Sequence, residues 1–222
     1  MEATRVKSVF VLGGTGPSGR ETLLKCLEKG YTCYSMSRSG TPKNLPDDFI
    51  EKVYWKKGDV MNLEDLMINL KDIDAVISCI GTSGSLLKTN VYSKGLENII
   101  TAMEFNKINR LVFLSSAHDI PYIGCCFKYF TKKFILNKIY DDMIKAENMI
   151  KNYKGPILWL CVRPFEFVYN KTSEGKLRAV ESHEITSGKG WIWKTIIEDI
   201  GIFNANEVFS HKYLDKFVYI GQ

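Results

Sequence analysis

Val11-Leu12-Gly13-Gly14-Thr15-Gly16-Pro17-Ser18-Gly19-Arg20 joins a short apolar run, Ser8–Leu12, to a segment with Leu23, Leu24 and Leu27 at helical spacing. Its glycines at 13, 16 and 19 fit GxxGxxG. In a strand–turn–helix each has a separate task. The first permits the tight turn out of the strand, the second lets backbone approach a pyrophosphate with no Cβ in the way, and the third lets the helix pack closely on the sheet. The helix N-terminus then offers unpaired N–H groups and the positive end of its dipole to the phosphates. Three glycines alone make an ordinary turn. After a buried strand and at the start of a helix they predict a dinucleotide site.

Outward from this loop, strand-like and helix-like segments alternate. Residues 18–29 read as a helix that Gly30 ends. Residues 32–37 and 52–56 read as the second and third strands. A helix over 63–70 follows the N-cap Asn62, then a fourth strand over 75–79, an amphipathic helix over 91–106 and a fifth strand over 111–114. Residues 138–153 read as a helix, 157–162 as a sixth strand closed by Arg163-Pro164, 196–209 as a helix and 216–220 as a last strand. Residues 165–195 give a mixed pattern with turns at Gly175, Gly188 and Gly190. Such alternation implies right-handed crossovers and a parallel sheet covered on both faces, and the runs VFVL and LVFL suit strands buried on both sides. The expectation is one α/β domain over 1–222, a Rossmann-like doubly wound sheet. Its core spans 7–162, and 163–222 complete the sheet and the acceptor site.

Composition bounds the rest. At 222 residues the chain suits one core, and 45% hydrophobic with 25% charged residues is ordinary for a globular protein. The formal charge of +5 favours anionic ligands, but the basic residues form no dense stripe, so nucleic acid is not expected. No apolar run nears the roughly 18 residues of a membrane span. Six cysteines form no CxxC pair, and MEATRVK runs straight into a strand. A reduced, cytoplasmic, monomeric protein is therefore expected, in which the sequon at Asn170 is without meaning. No metal site is expected.

Beyond the glycine loop, the end of the second strand is informative. Chains that bind NAD place an acid there for the ribose 2′-OH. This chain has Met36-Ser37-Arg38-Ser39-Gly40. Arg38 suits a 2′-phosphate, with Arg20 able to assist, so NADP(H) is expected over NAD(H). The bland reading of Arg38 is a solvated loop residue. Asp59 would accept from the adenine amino group while Val60 packs on the ring, or Asp59 simply forms a helix-entry turn. Gly81 and Thr82 follow the fourth strand, where backbone passes the ribose and pyrophosphate. Ser115 and Ser116 follow the fifth, near the nicotinamide position, as catalytic residues or as a helix cap. His118 would orient substrate or face solvent. Cys125 and Cys126 would be a redox or acylated pair or, with no ligand partners near them, simply buried packing. The aromatic-basic segment 121–137 would touch a membrane, cap a carboxylated acceptor or simply cover the site, and Trp191 and Trp193, alternating with Ile192, would give one exposed and one packed face or form part of the acceptor wall.

Together GGTGPSG, SRS, KGDVMNLEDL, DAVISCIGT and NIITAMEFNKINRLVFLSSA resemble the atypical short-chain dehydrogenase/reductases with an NmrA-like domain, and among them the biliverdin-IXβ reductase, or flavin reductase, group. The likeness runs from 7 to 117 and resumes at 140–144, 162–164 and 199–201. It implies an NADPH-dependent reductase of flat conjugated acceptors, tetrapyrroles or flavins. Gly13, Thr15, Gly16, Pro17, Ser18 and Gly19 would hold the pyrophosphate, Arg38 the 2′-phosphate, Asp59 and Val60 the adenine, Gly81 and Thr82 the ribose, and Ser116 would face nicotinamide and acceptor. Phe165 stands where these reductases carry a substrate-side histidine after a proline. Ordinary short-chain dehydrogenases use Tyr-x-x-x-Lys, in which the lysine lowers the tyrosine pKa. Here Tyr140 is followed by Lys145, one residue late and about 100° round a helix. Hydride-accepting conjugated rings, with a solvent proton relayed by Ser116, fit better than simple ketones. A non-catalytic NADP(H) redox sensor, a quinone reductase and, more weakly, a sugar-nucleotide epimerase are the other readings.

Overall fold

The computed structural model describes residues 6–42, 45–82, 89–118, 126–182, 194–210 and 212–222, and of 126–138 the backbone alone. Strand β1 (Ser8–Leu12) is buried along its whole length, because alternate side chains enter different cores. Val9 and Val11 pack with Leu23 and Cys26 of helix α1 (Pro17–Glu28) and with Ile200 and Phe203 of helix α6 (Ile197–Glu207). Phe10 and Leu12 enter the opposite layer, with Leu66 of α3 (Leu63–Asn69), Leu96 and Ile99 of α4 (Val91–Phe105) and Ile150 of α5 (Cys126–Lys151). Each such fully buried side chain contributes roughly 1.5–3 kcal/mol.

The main sheet has eight strands in the order β3-β2-β1-β4-β5-β6-β10-β8. Here β2 is Thr32–Ser37, β3 Tyr54–Lys57, β4 Ala75–Ser78, β5 Arg110–Leu114, β6 Leu158–Pro164, β8 Arg178–Glu181 and β10 Lys216–Gly221. All neighbours are parallel except β10 and β8. The fold is thus α/β, a mainly parallel sheet with helices on both faces. Chain order reverses at β1, with β2 on one side and β4 on the other. Ligands of such sheets bind outside the strand C-termini at this switch point, and the glycine loop leaves β1 there.

Several local expectations meet their mechanism. Gly30, at φ +78°, closes α1 with the paired bonds Gly30 N–H to Leu27 carbonyl and Tyr31 N–H to Cys26 carbonyl, a Schellman ending. Asn62 caps α3 by accepting from the Glu64 N–H. The four cysteines described, Cys26, Cys33, Cys79 and Cys161, are free thiols. Among the described residues no helix is long and apolar enough to cross a membrane.

Four elements differ from the expectation. β6 runs on through Pro164, whose carbonyl accepts from the Ala117 N–H. The backbone over 126–137 is helical, so α5 begins twelve residues before the expected Lys138. A four-residue helix, α2 (Asp47–Ile50), precedes β3. The mixed stretch 165–195 holds β8 and a separate parallel pair, β7 (Glu166–Val168) and β9 (Lys194–Ile196). Thr195 anchors this pair to the sheet: its Oγ1 donates to the Ile220 carbonyl at 2.8 Å and accepts from the Phe165 N–H at 3.0 Å. The covering role expected of side chains up to 137, the packing of Cys125 and Cys126, and the walls expected at Trp191 and Trp193 fall outside the described residues.

Helices α1 and α6 touch at Gly201, where a Cβ would lie 2.6 Å from the Glu21 carbonyl carbon and oxygen. Both are backbone atoms, so the helices would have to part. Gly201→Ala is expected to lower stability by about 1–3 kcal/mol, outweighing the ~1 kcal/mol that alanine gains in helix propensity. Thermal denaturation checks this; an unchanged or raised midpoint would show that the two helices separate freely.

Candidate dinucleotide and acceptor site

The glycine loop is shaped by two contacts that leave no room for a side chain. Gly13, at φ +81°, would place a Cβ 2.5 Å from the Cys79 carbonyl oxygen at the end of β4. Gly19 would place one 2.2 Å from the Gly13 carbonyl oxygen. Gly16 is different. Its φ is −83°, and its Cβ would meet nothing closer than the Gly13 oxygen at 3.4 Å. Nothing in the chain itself requires glycine there, whereas a pyrophosphate lying on the loop does. Gly16 is also the N-cap of α1 and offers no side-chain bond to the first turn, so those N–H groups remain available for an anion. Pro17 opens the helix, and Thr15, Gly16, Pro17 and Arg20 line a cleft of about 520 Å³ that extends to Tyr169 and Lys171. Ser18 is buried and its carbonyl accepts from the Thr22 hydroxyl. The Arg20 Nε is buried without a hydrogen-bond partner among the described residues, its guanidinium 5.9 Å from the Phe49 ring. Beside the loop, burial pushes the Cys79 thiol up to about 12.

At the end of β2, Arg38 is exposed and bonds no other described residue. Ser37 and Ser39 face one another at 3.4 Å, and the Ser39 hydroxyl donates to the Thr41 carbonyl. Across from them the Asp59 carboxylate accepts from the Met61 N–H at 2.9 Å, and the Asp59 N–H donates to Asp65. Asp59 therefore does form the helix-entry turn, with its second carboxylate oxygen uncommitted among the described residues. The buried Asn98 of α4 steadies the same turn by donating to the Val60 carbonyl at 3.0 Å.

The strand ends beyond β1 carry the titratable groups. Gly81 is exposed, and a Cβ there would lie 3.7 Å from the Tyr92 hydroxyl. Burial pushes the Tyr92 phenol up, against the side chain and backbone of Thr82, which act the other way. After β5, the two neighbouring serines have different surroundings. Ser116 lies beside the Tyr140 phenol, which burial raises and the Ser116 hydroxyl lowers. Ser115 does not join it: its hydroxyl is buried and unpartnered against a small void lined by Tyr92, Phe113 and Met143. The His118 side chain is 6% exposed, not solvent-facing; it stacks on Tyr140 at 5.8 Å between centroids. Phe165 is buried against Tyr219 and Ala117. Lys145 is exposed on the far side of α5.

The NAD(P)H-binding family model matches residues 13–191. The chain belongs to the NAD(P)H-binding family. Curated relatives of this family member are photosystem II assembly factors named Ycf39. That of Synechocystis sp. is 27% identical over 194 residues, 81% of this chain and 59% of the relative. That of Trieres chinensis is 29% identical over 162 residues, 68% of this chain and 50% of the relative. The chain thus spans between half and three fifths of their lengths. Among solved structures, a wide-type short-chain dehydrogenase/reductase from Veillonella parvula in complex with NADP superposes with a TM-score of 0.76 at 14% identity, over 98% of this chain and 95% of that one. A candidate NADH-flavin reductase from Streptococcus pneumoniae gives 0.73 at 17%, over 97% and 99%. These structures show the shared Rossmann fold.

An NAD(P)H-binding chain of this shape brings Gly13–Gly16, Arg38 and Asp59 to one rim of the sheet, with Gly81, Ser116 and Tyr140 further along it. Four residues that hold this rim are not evident from the sequence. Asp142 of α5 is buried, and its carboxylate accepts from the Tyr92 N–H at 2.9 Å, the Ser93 N–H at 3.4 Å and the Ser93 hydroxyl, capping α4 from a different helix. Glu147 accepts from the Arg163 Nε at 3.0 Å and Nη2 at 2.5 Å, and Arg163 Nη1 donates to the Tyr219 hydroxyl at 2.7 Å. The sequence does hold one signal for the helix pair. Asp142 shares a stripe with Ala146 and Ile150, and an acid on an apolar stripe needs a partner.

Proposed function

We propose that the protein is an NADPH-dependent reductase that transfers hydride to a flat, conjugated acceptor of biliverdin or flavin type. The observation that carries this reading is the cluster at the end of β5, where the His118 ring lies 2.9 Å from the Ser116 carbonyl oxygen and stacks on the Tyr140 ring. Tyr140 lies close enough for its charge to act on Tyr92, beside Gly81. Proton-bearing groups thus gather where strand ends meet a nicotinamide ring, and when bound the reduced nicotinamide supplies the hydride.

The chain's own residues divide the remaining work. The α1 N-terminus with Gly13, Thr15, Gly16, Pro17, Ser18 and Gly19 would bind the pyrophosphate, and Arg38, with Arg20 near, the 2′-phosphate. The free oxygen of Asp59 would accept from the adenine, and Val60 would pack on it. Gly81 and Thr82 would line the ribose. Ser116 would orient the acceptor and hand it a proton from Tyr140. Lys145 takes no part, which suits an acceptor that receives hydride readily.

A second reading is favoured by the exposed Lys145 and by the assembly-factor role of the curated relatives: the protein binds NADP(H) and reports its redox state to a partner without turnover. Absorbance of reduced cofactor, followed with FMN, biliverdin and a small quinone in parallel, separates the two. Saturable NADPH consumption with one acceptor, and little with NADH, is expected. Tight NADPH binding with no consumption would overturn the reductase and leave the sensor.

A further inference from the structure

We propose that Lys171, on the wall of the cleft that faces the glycine loop, binds the dinucleotide pyrophosphate, exchanging its ion pair with Glu174 for a phosphate oxygen. The inference rests on the dinucleotide reading of the cleft and needs no turnover. The loop itself, Gly13 to Gly19, contains no lysine or arginine. A pyrophosphate laid on it meets N–H groups and the positive end of a dipole, but no whole charge. The opposite wall supplies one. Thr15, Gly16 and Pro17 line one side of the cleft, and Tyr169, Asn170 and Lys171 line the other. Its volume of about 520 Å³ lies within the roughly 300–1,000 Å³ of small-molecule sites.

The two walls stand on one support. Asn170 turns the chain at φ +55°, and Ser173 then pins it. The Ser173 N–H donates to Glu198 at 2.8 Å, and its hydroxyl donates to Asp199, both acids lying in the first turn of α6. The same hydroxyl oxygen accepts from the Gly175 N–H at 3.2 Å. Helix α6 in turn meets α1 at Gly201 and Glu21 with no room for a Cβ between them. Residues 169–172 are thereby held at a set distance from the α1 N-terminus.

Lys171 is half-exposed and ion-pairs with Glu174. Glu174 has a second partner, Lys176, at 2.9 Å. The two lysines together hold the Glu174 carboxyl down at about 2. Lys171 can therefore leave without stranding the acid, because Lys176 stays. Exposed ion pairs of this kind are weak and exchange readily, and a phosphate oxygen offers the ammonium an equally charge-assisted bond. The other charged groups on the described lining are Arg20, Glu21 and Glu198. Glu198 is engaged by Lys25 at 2.9 Å and by the Ser173 N–H. Glu21 has the charges of Arg20 and Lys25 near it, while burial and the Glu198 charge push its carboxyl up. Arg20 belongs to the loop's own side, so Lys171 is the cation that the far wall contributes.

The test is calorimetric titration with NADPH and with NADH, beside thermal denaturation to verify each fold. Lys171→Met is expected to weaken both cofactors alike, by about 10-fold, the size of one hydrogen bond to a charged group. Lys171→Arg, which keeps the charge, should retain most of the affinity. Glu174→Gln is expected to tighten both by about 3-fold, as the loss of a competing surface ion pair allows. In the Lys171→Met background the same Glu174→Gln change should do nothing, because the two residues act as a pair. Equal tightening in both backgrounds would reveal a general charge effect and overturn the proposal. A loss confined to NADPH would also overturn it, placing Lys171 at the 2′-phosphate. If Lys171→Met binds both cofactors as the unaltered protein does, Lys171 has no part in the site, and the dinucleotide reading stands without it. If the unaltered protein binds neither cofactor, that reading and the proposal fall together.

Discussion

Gly16→Val is expected to remove NADPH binding and leave the fold standing. Position 16 is extended, at φ −83° and ψ 163°, which any residue adopts, and a Cβ there meets only the Gly13 oxygen at 3.4 Å. Loss of a favourable N-cap residue should cost stability about 1 kcal/mol. The valine methyl groups, by contrast, would fill space above the α1 N-terminus that the pyrophosphate needs. Overpacking of about 3 kcal/mol corresponds to roughly 100-fold in affinity. Calorimetric titration with NADPH, beside thermal denaturation without it, separates the two effects. Gly19→Ala is the contrast: its Cβ, 2.2 Å from the Gly13 oxygen, should damage fold and binding together. Undiminished NADPH binding by Gly16→Val would place the dinucleotide away from this loop.

What the sequence revealed of the fold follows its periodicity. β1, β2, α1 and α4 are long enough, and patterned clearly enough, to be read alone. β7 and β9 have three residues each and pair across the 25 residues between Val168 and Lys194; their identity comes from the Thr195 hydroxyl gripping Ile220, a tertiary contact. β6 passes through Pro164 because only the proline carbonyl is used there, by Ala117. A proline that looks like a stop can be the last bonded residue of a strand when its missing N–H is not called on.

The site divides in the same way. The glycine loop and the acid-free end of β2 are contiguous in the chain, so residue type and spacing are enough to read them. The support behind Ser116 is drawn from α5, β6 and β10, and no local pattern joins His118 to Glu147, Arg163 and Tyr219. Even the Ser115-Ser116 pair could not be ranked by type, because tertiary packing alone buries the Ser115 hydroxyl and leaves Ser116 beside His118.

Arg38→Ala should weaken NADPH binding by about 10–100-fold and leave NADH binding unaltered, the 1.5–3 kcal/mol worth of charged hydrogen bonds being confined to the 2′-phosphate. Arg38 is exposed and bonds no described residue, so its removal should not disturb stability. The neighbouring hydroxyls of Ser37 and Ser39 keep their mutual contact. Arg38→Glu should go further: it repels the 2′-phosphate and supplies the acid that grips a ribose 2′-OH, so preference should turn toward NADH. Arginine rather than lysine matters at this position, because the planar guanidinium engages phosphate oxygens in pairs; Arg38→Lys should recover only part of the affinity. Binding curves for the four proteins with both cofactors decide the matter. Equal losses for NADPH and NADH would mean that Arg38 acts on something common to both, the adenine or the pyrophosphate. No loss at all would leave Arg20, whose buried Nε has no partner among the described residues, as the cation on which NADPH preference must rest.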